Sequence, residues 1–169
     1  MRIELRPDVK SPIPGALCVG TVDGRPLSYV DRTPHIGREP TTHAAIAEPL
    51  ADAVDKVASR VFGAEWNGDL SRITGINRRT VTHDRILKFG LAPWVISLVG
   101  RAAAHPHPRA LGFLLLGLAA LRDDVDREIF RERDDLQRLS THALDDAIGL
   151  IRYAMDERRK APAPKTRDE

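Results

Sequence analysis

The 169-residue chain is long enough for one domain with a real core, or one domain plus an arm. Hydrophobic residues make up 42% of it but aromatics only 5%, so the core must be built from Leu, Ile, Val and Ala, which suits packed helices better than a β-sandwich. The net charge of +2 is too small to name a partner, and a single cysteine, Cys18, excludes an intrachain disulfide and a cysteine-based zinc knuckle or ribbon.

One free thiol agrees with a reducing compartment. The opening stretch, MRIELRPDVKSPIPG, has acids and prolines where a secretory signal has an apolar run, so a cytoplasmic location is expected. Residues 1–42 carry Pro7, Pro12, Pro14, Pro26, Pro34 and Pro40, which exclude a long helix. Within them, ALCVGTVDGRPLSYV has two β-prone runs around Asp23-Gly24, a hairpin signal. Pro26 lies so close to the turn that the second strand is expected to be short or at an edge. A lone hairpin is marginal in water, so it must lie on the helical body, pair with a partner, or form an arm.

The pattern changes at Thr42. Ile46, Leu50, Val54, Val57 and Val61 recur at helical spacing, with Pro49 read as the first turn of the main helix. Trp66, Leu70 and Ile73 continue an apolar face through a second, short helix. After a Thr-Gly turn come NRRTVTHDRILKFG and APWVISLVGRAAA, where Pro93 is well placed for a first helical turn. HPHPR interrupts the chain. Helices are expected again over 109–133, with Leu118, Leu121, Val125 and Ile129 on one face, and over about 141–159, capped by Ser140 or Thr141. On the second of these, Leu144, Ile148, Ile151 and Met155 share a face. ALGFLLLGLAAL, residues 110–121, is half a membrane span and apolar nearly all round, so it reads as a buried core helix or as part of a dimer interface. The tail RRKAPAPKTRDE is expected to be disordered.

The expected fold is therefore mainly α: a helical bundle with a helix-turn-helix and a short N-terminal extended or hairpin arm. Its parts would be an arm over 1–42, a helix-turn-helix core over 43–104, a C-terminal helical region over 105–159 for core completion or dimerisation, and a tail over 160–169.

The stretch LSRITGINRRTV carries the functional signal. A helix-turn-helix needs a small residue where its helices cross, here Ser71, and a residue tolerant of a left-handed backbone at the turn, here Gly75. Ile76 and Val81 can pin the second helix to the first, and Asn77 can cap it. Arg78, Arg79, Thr82 and His83 are then left near the start of that helix, the part that meets base edges in a major groove. The stretch resembles the lambda-repressor-like (Cro/C1-type) helix-turn-helix family, and residues 62–100 resemble small phage and plasmid regulators in which a Trp precedes the first helix and a Pro-initiated helix follows the second. The resemblance implies DNA contacts at Asn77, Arg78, Arg79, Thr80 and Thr82, with Gly75 and Val81 structural. One residue departs from the family: Asp84 stands where it usually has an apolar side chain. Ile86 and Leu87 also point well away from Val81 on a straight helix, so either the recognition helix ends near Asp84 or it packs on two sides.

Charge distribution agrees with DNA. Residues 77–88 hold Arg78, Arg79, Arg85 and Lys88 against Asp84, while residues 122–135 hold seven acids to four arginines. Arg72, Arg85 and Lys88 are expected to anchor phosphates. Other chemistry is weaker. His105 and His107 are interleaved with prolines, and Asp124, Asp126 and Glu128 have calcium-loop spacing but Ile129 where such a loop needs glycine. No metal, cofactor or enzymatic activity is expected. The leading expectation is a sequence-specific, DNA-binding transcriptional regulator of phage, plasmid or bacterial type, a homodimer on duplex DNA with no membrane association. The alternative is a protein-interaction module (inhibitor, adaptor or assembly factor) on the same scaffold.

Overall fold

The structure is a computed structural model and describes residues 1–124 and 133–160. The chain divides into two compact units, Met1–Ala119 and Ala120–Glu169. In chain order the first contains strands β1 (Ile3–Leu5), β2 (Leu17–Val22), β3 (Arg25–Val30), β4 (Thr33–Ile36) and β5 (Glu39–Pro40), then helices α1 (His43–Phe62), α2 (Trp66–Thr74), α3 (His83–Phe89), α4 (Pro93–Ala103) and α5 (Pro108–Asp124), the last reaching into the second unit. Helix α6 (Arg133–Lys160) belongs to the second unit.

The fold is mixed α and β, not a mainly α bundle with an arm. The first forty residues build a five-stranded antiparallel sheet whose strand order equals chain order. The Asp23-Gly24 hairpin is present: both residues have positive φ, 47° and 82°, and Val22 faces Arg25 across them. Two further two-residue turns, at Asp31-Arg32 and Gly37-Arg38, extend the meander. Strand β3 is therefore central, against the expectation of a short or edge strand. The prolines are tolerated because of where their missing N–H groups fall. The Pro26 carbonyl still accepts from Gly37 at 2.7 Å at the last rung beside β4, and the Pro34 carbonyl accepts from Thr41 at 2.8 Å where β5 ends. Pro40 lies on the outermost strand.

One face of the sheet enters the core. Ile3 faces Val22, and Leu27 faces Gly20 and Ile36, all on the side that packs against α1 and α4. Ile3, Leu5, Val22 and Leu27 share one hydrophobic cluster with Ile46, Leu50, Val54, Val95 and Val99. The register shifts between Cys18 and Gly20, and a side chain at Gly20 would run into the Glu4 carbonyl of β1, so glycine is required by close approach of two strands.

Helix α1 begins at Thr42, whose hydroxyl accepts from Ala45 N–H at 3.3 Å, so Pro49 stands inside the helix and not in its first turn. The proline withholds a donor from the carbonyl of Ala45, an exposed residue that water can reach. Buried Ile46 and Leu50 on either side hold the helix to the core. Helix α5 is not buried all round: Gly112 and Ala119 are covered, whereas Phe113, Leu114 and Leu118 are exposed. Gly112 lies against the Val61 carbonyl, so this helix packs on the end of α1 by one face only; the core places are taken by the sheet. Helix α6 is already helical at Arg133 and runs through Thr141, which therefore does not cap it. Neither Gly nor Pro breaks the run, and the Thr141 hydroxyl bonds back to the Gln137 carbonyl at 2.8 Å as an interior residue does. The expected acidic segment around Val125, Asp126, Glu128 and Ile129, and the tail beyond Lys160, lie outside the described residues.

Candidate nucleic-acid interface

The residues expected to build the turn come together. Gly75 follows α2 with φ 72° and ψ 4°, and its N–H donates to the Ser71 carbonyl at 2.8 Å. That backbone is left-handed, which is why glycine stands there. The Ser71 hydroxyl donates to the Ile76 carbonyl at 2.6 Å, and the Thr74 hydroxyl to the Leu70 carbonyl at 2.6 Å, so two side chains tie the turn to α2. Ile76 packs on the core and Val81 is fully buried. From α1, Asp55 accepts from the Trp66 indole N–H at 2.8 Å, which fixes the start of α2.

The turn does not lead into one recognition helix starting at Asn77. The Asn77 side chain accepts from Arg79 N–H at 2.9 Å and opens a 3-10 turn over Arg78–Val81. Thr82 is extended, with φ −74° and ψ 150°, and α3 begins only at His83. The spacing of apolar residues explains the break. On a straight helix Val81 and Ile86 would stand about 140° apart, and one would leave the core. With Thr82 extended, both are buried. Asp84 then sits in the first turn of α3, where a carboxylate faces free N–H groups. The departure from the family pattern thus marks a helix start.

The polar candidates divide by exposure. Asn77, Arg78, Arg79, Thr80, His83, Arg85 and Lys88 are exposed on the turn and α3, Thr82 is half-buried with its hydroxyl bonded to the Arg79 carbonyl at 3.1 Å, and Arg72 is exposed on α2. The Arg85 guanidinium lies 4.4 Å from the centre of the Phe89 ring and the Lys88 ammonium 5.2 Å, so both cations lie against one exposed aromatic ring. Arg78 leans back over α2, 3.9 Å from the Glu65 carboxylate. With Asp84 exposed among them, the ridge is basic but interrupted.

A neighbouring cleft has no local signal in the sequence. It encloses about 250 Å³ and is lined by Tyr29, Arg32, His43, Thr80, Phe89 and the loop Gly90–Pro93. Arg32 arrives there on the β3–β4 turn, whose signal, Asp31 at φ 53°, is a residue other than glycine and so escapes a turn motif. Nε2 of His43 donates to the Leu87 carbonyl at 2.9 Å and ties α1 to α3. Burial pushes the Tyr29 phenol up to about 12. His105 and His107 sit apart from the ridge in sequence, and Nδ1 of His105 accepts from His107 N–H at 3.1 Å, which closes a local turn. Among the described residues, no three His, Cys, Asp or Glu side chains cluster as metal ligands, and no helix is long and apolar enough to cross a membrane. In comparisons with known proteins, no family model, no curated protein and no solved structure matched the chain.

Proposed function

We propose that the chain binds duplex DNA through the ridge of the 3-10 turn and α3, as a transcriptional regulator of phage, plasmid or bacterial type. One observation carries this reading. Seven polar or basic side chains are exposed along a short backbone segment that buried Val81 and Ile86 pin from beneath. Held backbone with exposed donors is what base and phosphate recognition needs. Arg78 and Arg79 offer paired donors for guanine edges or phosphates, and Asn77 and Thr80 add hydrogen bonds. Arg32, Arg72, Arg85 and Lys88 supply charge for the phosphate backbone. Because the ridge consists of two short pieces, its contact with any one groove is limited and phosphate neutralisation dominates affinity.

The test is selection from a pool of random duplexes at two salt concentrations, followed by the double variant Arg78→Ala, Arg79→Ala. An enriched motif with steep salt dependence is expected, and the double variant should lose it while its melting temperature stays within about 2 °C, since both residues are exposed. No enrichment, or affinity retained by the variant, removes this surface from DNA recognition. A second reading, a protein-interaction module, draws on Phe89 and Trp94, which are 60% and 50% exposed close to Asp84 in the chain. Replacing Trp94 by Ala would then weaken capture of a protein partner and leave DNA affinity unmoved.

A further inference from the structure

Helix α6 leaves an apolar stripe uncovered. Leu144, Ile148, Ile151 and Met155 are all exposed, at 47%, 39%, 61% and 54%. Their spacing of four, three and four residues is the a/d seam of a coiled coil and keeps them within a narrow arc of the helix. The two flanks of the seam differ. Between Leu144 and Met155 one carries Asp145 and Arg152, and the other carries Ala147 and Ala154.

We infer that α6 is a self-association surface, and that a second copy of this chain pairs its α6 antiparallel against it. The flanks select the orientation. In an antiparallel pair, like flanks face each other; in a parallel pair, each flank faces the other kind. Parallel pairing would set Arg152 against the partner copy's Ala147 and Asp145 against its Ser140, so neither finds an opposite charge. Antiparallel pairing in the register that stacks Leu144 on the partner copy's Met155, and Ile148 on its Ile151, brings Asp145 opposite the arginine equivalent to Arg152. The two-fold axis repeats that pair, so a single sequence supplies two complementary ion pairs. On the other flank Ala147 meets the equivalent of Ala154, and small residues let the two backbones approach. This pairing is independent of DNA binding.

The full chain is studied by sedimentation equilibrium across a concentration series, with far-UV circular dichroism to follow folding. A monomer–dimer equilibrium is expected, and Ile148→Asp with Ile151→Asp should abolish it. Both positions are exposed, so the fold should persist. Asp145→Arg and Arg152→Asp, each alone, should weaken the dimer about tenfold, because each turns two attractive contacts into two repulsive ones. Carrying both changes in one chain should restore affinity. Mixing the two single variants should do the same, since each of the two contacts then sets an arginine of one chain against an aspartate of the other. A monomer at every concentration overturns the inference, as does a dimer indifferent to the seam variants. A dimer that needs the seam but shows no rescue on mixing overturns the antiparallel arrangement.

Discussion

Gly75 and Tyr29 each hold a conformational or electrostatic condition that one substitution exposes. With φ at 72°, Gly75 occupies backbone that a β-branched residue strongly resists, although open space surrounds the position. Gly75→Val should lower unfolding free energy by about 1–3 kcal/mol in a urea titration, through backbone strain alone. An unchanged midpoint would mean that the turn is not left-handed. Tyr29 acts through protonation. Its neutral form is favoured by burial, so its pKa is about 12 in the fold against 10 when exposed. A raised pKa on an acid stabilises the fold fully below pH 10, and that contribution is lost as the pH rises from 10 through 12, because the unfolded chain ionises first. The loss should approach about 3 kcal/mol. Tyr29→Phe should flatten that part of the stability profile relative to the native chain, with both measured by denaturant titration at stepped pH.

The broken segment between α2 and α4 makes a sharper demand at the level of elements. A continuous helix from Arg78 to Phe89 would expose either Val81 or Ile86. The 3-10 turn followed by α3 buries both. Ile86→Ala should therefore cost about 2–5 kcal/mol by calorimetry or denaturant unfolding, the penalty of a core truncation. A change under about 0.5 kcal/mol, the range of an exposed site, would restore the single helix. Much at this scale was legible in the chain. The Asp23-Gly24 hairpin, the stripe of α1, the Gly75 turn and the Pro93 start of α4 all derive from local chemistry. The break at Thr82 does not, because Thr82 is an ordinary helix-tolerant residue and its conformation is set by which neighbours must reach the core. The conflict was visible in Asp84, Ile86 and Leu87; its resolution needed the core itself. The ridge candidates were legible as a set for the same reason, whereas Arg32 and Phe89 reach the cleft only through tertiary folding.

For the molecule as a whole, the main correction concerns residues 1–42. Strands of two to six residues carrying prolines give little period-two signal, and β1 has only Ile3 and Leu5 to announce it. Yet those two side chains are buried in the cluster that contains α1 and α4, and a β-carbon on Gly100 of α4 would lie 3.4 Å from that of Leu5. Removing residues 1–5 should thus destabilise the entire first unit by about 3–6 kcal/mol, the transfer value of two large aliphatic side chains, instead of freeing a detached appendage. Thermal denaturation monitored by both near- and far-UV circular dichroism would test it. A deletion that leaves the helices melting unchanged would return these residues to the status of an arm.

The strand order, identical to the chain order, also bears on synthesis. As the chain leaves the ribosome, the three tight turns can close before α1 has emerged, because each requires only neighbours already made. The sheet so formed has an uncovered apolar face until α1 arrives, and β1 and β2 still await α4, which packs on both. Until residue 103 is available, the nascent domain exposes the surface that will become its core. The interval between the Gly37-Arg38 turn and the end of α4 is the period in which this protein most needs protection from its neighbours.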